Sequence, residues 1–287
     1  MSRISDSTYL REAQYKTSAN LAARANLHRR FSINAYGWTK WAYDQLALQS
    51  GMRVLEVGGG PGWLWRENIE RLPPDVSICF SDFSFGMAQE ARQAIPQRPE
   101  RNEAQRSEVE GRALETLRFA FANLDAQAIP FASGTFDLVV ANHMLYHVPD
   151  LLQAAREIAR ALRPGGRLCA ATNSVRHLRQ LHNLIHEFDS RYPEHEDIFA
   201  ALFGLDNAPE LLGRDFAHVE VRRYPDELWV TEVEPLADYV CSSSFWGSVG
   251  GLEPGCRAAL EDLIREKMKA IGGLRITKDS GMVIASL

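Results

Sequence analysis

No stretch of the 287-residue chain approaches the ~20 consecutive apolar residues that a membrane span needs. A membrane partner is therefore not expected. The N-terminus, Met1 to Ser7, lacks the apolar core of a secretory signal. The chain has only four cysteines, Cys79, Cys169, Cys241 and Cys256, with no Cys-x-x-Cys pair among them. So sparse a set argues against a disulfide frame or a zinc site, and the expected compartment is the cytoplasm. A surplus of positive charge is also missing: the net charge is -5, the wrong sign for a protein that neutralises nucleic-acid phosphates. His182 and His186 stand four apart, with Glu187 and His195 nearby, but Asn183 breaks the H-E-x-x-H pattern. That group reads as a solvated helix face, and no metal is expected. There is no internal repeat.

What is present alternates. Residues 1 to about 50 read as helices, with Leu21, Ala25, His28 and Phe31 near one face and Trp38, Trp41, Ala42 and Leu46 near another. Residues 52–57 read as a buried strand that runs into glycines, and Trp63 to Leu72 as a helix stopped by Pro73-Pro74. Strands are predicted again at 76–80, 117–122, 136–141 and 168–172. Between them fall helices capped by Ser84 and Asp150. The polar segment 96–113 reads as a mobile insertion. Such alternation implies an α/β fold, a doubly wound and mostly parallel sheet with helices on both faces. Beyond residue 175 Leu178, Leu181, Ile185 and Phe188 share a helical face. Short strands are predicted at 219–221, 228–230 and 282–285, around a late helix with Leu260, Leu263, Ile264, Met268 and Ile271 on one side. Four parts follow: a helical cap (1–50), a Rossmann-like core (51–174), a helical lid insertion (175–215), and a C-terminal completion of the sheet with an antiparallel strand (216–287).

The glycine run after the first strand is the main chemical signal. Glycines let backbone approach a ligand closely, and the helix that follows presents free N–H groups. The dinucleotide pattern G-x-G-x-x-G fails, because Trp63 or Trp65 stands where the third glycine belongs. The chain instead reads acid-x-G-x-G-x-G from Glu56 to Gly62. Asp82 closes the second strand, Asn123 to Phe131 follows the third, and Leu162-Arg163-Pro164-Gly165-Gly166 precedes the fifth. Over about residues 50–172 this order resembles the class I S-adenosylmethionine-dependent methyltransferases. A softer resemblance, in Asn20–Ser32 and Gly37-Trp38, is to a subgroup that methylates small molecules and tailors natural products.

The resemblance implies S-adenosylmethionine as cofactor, held by Glu56, Gly58, Gly59, Gly60, Asp82, Phe83, Met87, Leu124, Asp125, Ala126 and Asn142. Asp82 would accept from the ribose diol and Asp125 from the adenine amino group. Past the fourth strand, His143 and His147 are the candidate bases, and Tyr9, Trp38 and Tyr146 the candidate contacts to a small-molecule acceptor. Two other roles stay open: His147 could fix the helix that starts at Asp150, and either histidine could be structural. Nothing in 1–50 or 175–250 reads as a charge clamp for one acceptor. The choice among O, N and C acceptors is open, as is that between monomer and homo-oligomer. Two further readings remain, a module that binds the cofactor without transfer and a nucleic-acid methyltransferase. Asn142-His143-Met144-Leu145 lacks the [D/N]-P-P-[Y/F] signature of the latter.

Overall fold

The computed structural model describes residues 6–96, 118–192, 198–242 and 255–287. The insertion expected over 96–113 lies, from residue 97 on, outside the described residues. The fold is α/β, built on a seven-stranded sheet of order β3-β2-β1-β4-β5-β7-β6. The strands are β1 (Arg53–Glu56), β2 (Ser77–Asp82), β3 (Arg118–Asn123), β4 (Phe136–Asn142), β5 (Leu162–Asn173), β6 (His218–Val230) and β7 (Leu274–Ser286). The first five pair in parallel, while β7 runs antiparallel to both β5 and β6. The strand order reverses between β1 and β4. In open α/β sheets that is where a crevice opens beyond the carboxyl ends of the strands.

The central strands have the composition a doubly covered sheet requires. Phe136–Ala141 is buried throughout, as is Val54–Glu56, since helices lie on both faces. On one face α6 (Leu151–Ala161) packs Ala155 and Ile158 against Leu55, Val139 and Leu168. On the other, α3 (Trp38–Gln45), α4 (Trp63–Asn68) and α5 (Phe85–Ala94) surround Val54, Ile78 and Leu138 with Ala42, Trp65 and Ala91. The caps are as expected: Ser84 Oγ accepts from Met87 N–H, and Asp150 Oδ1 from Gln153 N–H.

A further core lies beyond the crevice. Leu27 and Phe31 of α2 (Ala19–Phe31) meet Leu181 and Ile185 of α7 (Arg179–Phe188), Leu236 of α10 (Val233–Ser242) and Leu260 of α11 (Arg257–Lys269). Burying each such leucine is worth roughly 1.5–3 kcal/mol, so α2 is fastened as firmly as a core helix.

Four expectations of extent change. The strand predicted at 168–172 begins at Leu162, so Leu162–Gly166, expected as the turn before it, is its first part. The two short strands predicted near 219 and 228 are one strand, β6. It tolerates Pro225 because it is the sheet edge, where a missing N–H breaks no ladder. The strand predicted at 282–285 begins at Leu274, because β6 pairs with all of it. Ile271 is not on the packed face of α11: the helix ends at Lys269, and Ile271 is 65% exposed in the turn before Gly272.

Candidate functional site

A cavity of about 720 Å³ opens over the carboxyl ends of β1, β2 and β4 and runs beneath α2. Its floor is the turn after β1. Gly58 and Gly60 take positive φ, +63° and +59°. A Cβ on Gly58 would lie 2.7 Å from Met144 Cγ, and one on Gly59 would lie 2.3 Å from Phe80 Cε2. Only a chain without side chains makes this turn at this depth.

Asp82 ties the turn to the neighbouring strand. Its Oδ2 accepts from Gly60 N–H (2.8 Å) and its Oδ1 from Ser84 N–H (2.7 Å). Burial pushes its carboxyl up to about 6, against the pull of those two donors. Glu56 lies under the turn, 1% exposed, and accepts from Trp65 Nε1 at 2.5 Å. Burial raises it to about 8, so its carboxyl is largely protonated at neutral pH in the free protein. The Asp125 carboxylate accepts from both the backbone N–H and the side-chain amide of Gln127. Among the described residues Asn142 Oδ1, buried against the cavity, has no hydrogen-bond partner, an acceptor left for something else to fill. Phe83, Met87, Leu124 and Ala126 complete this wall.

The far wall begins where β4 ends. His143 has φ +51°, a left-handed conformation that costs a side-chain-bearing residue about 1 kcal/mol, and its N–H donates to Ala171 O. Its ring lies 5.3 Å from that of Trp38, which also packs on Trp41 and Tyr224. Burial, with Lys278 adding to it, drives the imidazole down to about 4. His143 is therefore neutral and able to accept a proton. His147 Nε2 lies 2.9 Å from Tyr15 Oη, which ties the N-terminal segment to the turn after β4. Tyr146 packs edge-on against His147 and at a tilt against Phe199.

His143, His147, Trp38 and Tyr146 all line the cavity. Tyr9 stands apart from that wall, 3.4 Å from Gln14 Oε1 through its hydroxyl, and Leu10 and Tyr15 line the cavity instead. Trp63, which breaks the dinucleotide pattern, lines it beneath the guanidinium of Arg29. The solvated face expected here is not found: His182 is 5% exposed, and His182 and His186 are engaged with Tyr192, through its hydroxyl and its carbonyl. His195 lies outside the described residues, among which no metal-binding cluster occurs.

The sequence did not foreshadow one grouping. Arg24, His28, His177 and Lys278 come from α2, from the turn after β5 and from β7 onto one wall. Lys278 donates to Asp226 (2.5 Å), whose carboxylate also accepts from Ser32 Oγ and Asn34 N–H.

The buried imidazoles set the response to acid. Burial is the first cause that lowers His28, His143, His177 and His182, the second and fourth to about 4. In the unfolded chain each protonates near 6.5. Their stabilisation is therefore present above that pH and lost as pH falls through it toward 4. Glu56 and Asp82, raised to about 8 and about 6, act oppositely: their stabilisation is present at low pH and is lost as pH rises through those values. Four imidazoles outweigh two carboxyls below pH 6.5, and Glu56 dominates toward pH 8. The unfolding temperature should peak at about pH 7 and fall on both sides. A midpoint that climbs steadily from pH 6.5 to pH 5 in thermal melts would contradict this.

The family described as "Methyltransferase domain" matches residues 27–207. Among curated relatives, the ubiquinone/menaquinone biosynthesis C-methyltransferase UbiE of Hahella chejuensis is 30% identical over 131 residues, which is 46% of this chain and 47% of that one. Methyltransferase GfsG of Streptomyces halstedii is 34% identical over 142 residues, 48% and 44% of the two chains. The matched part thus spans about half the length of these relatives. Among solved structures, Haemonchus contortus phosphoethanolamine N-methyltransferase 2, in complex with phosphomonomethylethanolamine and S-adenosylhomocysteine, has a TM-score of 0.54 at 17% identity, covering 99% of this chain and 59% of that one. The YcgJ protein of Bacillus subtilis has a TM-score of 0.50 at 14% identity, covering 86% and 97%. These likenesses show a shared Rossmann-like fold.

Proposed function

Because the chain belongs to the methyltransferase domain family, we propose that it transfers a methyl group from S-adenosylmethionine to a small-molecule acceptor inside the cavity under α2. The observation that carries this reading is the glycine floor, with Asp82 at the end of the adjacent strand and the open acceptor Asn142 Oδ1 facing it. Asp82 would take the ribose hydroxyls, Asp125 and the Ala126 N–H the adenine edge, and Asn142 the methionine ammonium. When bound, the cofactor supplies an electrophilic methyl group on a sulfonium.

The protein's part is alignment, exclusion of water and, for an O or N acceptor, removal of a proton. Trp38 and Tyr146 would flank the acceptor, and Tyr15 closes over His147 from above. His143 is the proposed base. A cation in the cavity also favours aromatic faces, of which this wall has several. The acid balance of the chain and its likeness to a ubiquinone/menaquinone biosynthesis C-methyltransferase support a small acceptor over a nucleic acid.

The test is release of S-adenosylhomocysteine in the presence of candidate acceptors, which also separates transfer from mere binding of the cofactor. With an acceptor in hand, His143→Ala should lower kcat by about 10²–10⁴-fold and leave cofactor affinity nearly unchanged. Equal loss of both would remove His143 from the chemistry.

A further inference from the structure

Cations line both ends of the cavity: Arg11, over the Phe83 ring, and Arg29, over the Trp63 ring, lie at the end that holds its carboxyl groups. Its carboxyl groups, Glu56, Glu67, Asp82 and Asp125, belong to β1, α4, β2 and the turn after β3. The opposite end is lined by His28, His177 and Lys278, and Arg24 lies between the two ends, bonded to Tyr15. The helix α2 spans the two. Leu21 lies over the glycine turn, 3.6 Å from where a Gly60 Cβ would stand, and Ser32 lies at Asp226, beside Lys278. At ~1.5 Å per residue, Arg24 is about one turn and His28 about two turns away from the glycines along this face.

Arg24 is the unusual member. It is half-buried and its guanidinium always charged, yet among the described residues no carboxylate pairs with it. Its contacts are a long bond to Tyr15 Oη (3.5 Å) and the Tyr15 ring, with its carbon 5.6 Å from the centroid. Most of its donors thus face the cavity unused. A half-buried cation that faces a cavity without a counter-charge is a candidate contact for a ligand that supplies the missing charge.

His28 adds a second unmet group: its Nδ1 is buried without a partner among the described residues. The ring stacks on His177 at 6.2 Å and meets Tyr239 edge-on at 5.7 Å. His177 Nδ1 accepts from Asp279 N–H, which leaves the proton on Nε2 as a donor. Lys278 is held by Asp226 and keeps donors in reserve.

We propose that the acceptor carries an oxyanion, such as a carboxylate, which Arg24 and His28 bind on the face of α2 one to two turns from the glycine turn. This rests on the reading of the site as a methyltransferase. The anion would supply the counter-charge that Arg24 lacks and turn the acceptor's reactive atom toward His143. It also gives the pocket a rule of selection: neutral analogues leave the guanidinium desolvated and unpaired.

Calorimetry on the protein saturated with S-adenosylhomocysteine tests this, with hydroxybenzoic and hydroxycinnamic acids as probes, each beside its methyl ester. Acids should bind at least about tenfold tighter than esters, and Arg24→Met should erase that preference while Arg24→Lys restores part of it. Affinity for S-adenosylhomocysteine should stay the same in both variants. Three results would overturn the proposal: esters that bind as well as acids, no binding by any probe, or an Arg24→Met variant that loses affinity for S-adenosylhomocysteine as much as for acids. In the last case the guanidinium serves the cofactor's own carboxylate. Failure of the wild-type chain to bind S-adenosylhomocysteine would instead refute the methyl-donor reading itself.

Discussion

Asp82→Ala should weaken binding of S-adenosylhomocysteine by about a hundredfold or more, measured by calorimetry. Two losses combine. The acceptors offered to the ribose diol disappear, each hydrogen bond to a charged group being worth about 1.5–3 kcal/mol. The Gly60 and Ser84 N–H groups also lose their partner, so the floor of the cavity and the start of α5 loosen together. Asp82→Asn keeps one oxygen and should fall between the two. If Asp82→Ala binds as tightly as the wild type, the second strand does not carry the ribose site.

Lys278→Met should cost about 3–5 kcal/mol of stability, because it leaves the Asp226 charge buried and unpaired. The two side chains are 5% and 0% exposed, so solvent cannot replace the ammonium. For a chain of this size the unfolding temperature should fall by roughly 10 °C. The added change Asp226→Asn should recover a good part of that, since it removes the orphaned charge. A double variant no more stable than Lys278→Met would show that packing of the lysine stem, and not the ion pair, fastens β7 to β6.

The parallel core was readable because its strands are covered on both faces, and such strands are continuous apolar runs ended by turn residues. Val54–Val57 and Phe136–Ala141 announce themselves in this way. The first half of β7 does not. Thr277-Lys278-Asp279-Ser280-Gly281 has the composition of a loop, since Lys, Asp and Gly are poor strand formers. It is a strand because β6 pairs with it along its length and because its polar side chains have fixed partners in Asp226 and His177. Those partners are 52 and 102 positions away, beyond the reach of any periodicity.

The same holds for the cavity wall. The spacing of Leu21, Ala25, His28 and Phe31 gives the face of α2, but it cannot tell a helix that lines a polar cavity from one that is merely half-exposed. Nothing in that spacing separates Arg24 from an ordinary charged position. Glu56 was read as a ligand of the cofactor from its place in the motif, whereas its bond to Trp65 depends on how α4 folds back under the turn. The motif residues are local and could be named; the groups expected to select an acceptor are assembled from opposite ends of the chain.

The most direct test of the central claim is a calorimetric titration of the wild-type chain with S-adenosylhomocysteine and, separately, with NADH. Binding of the first at a single site, lost in Asp82→Ala, together with no heat from the second, is the expected result. Tight binding of NADH, or no binding of S-adenosylhomocysteine, would contradict it.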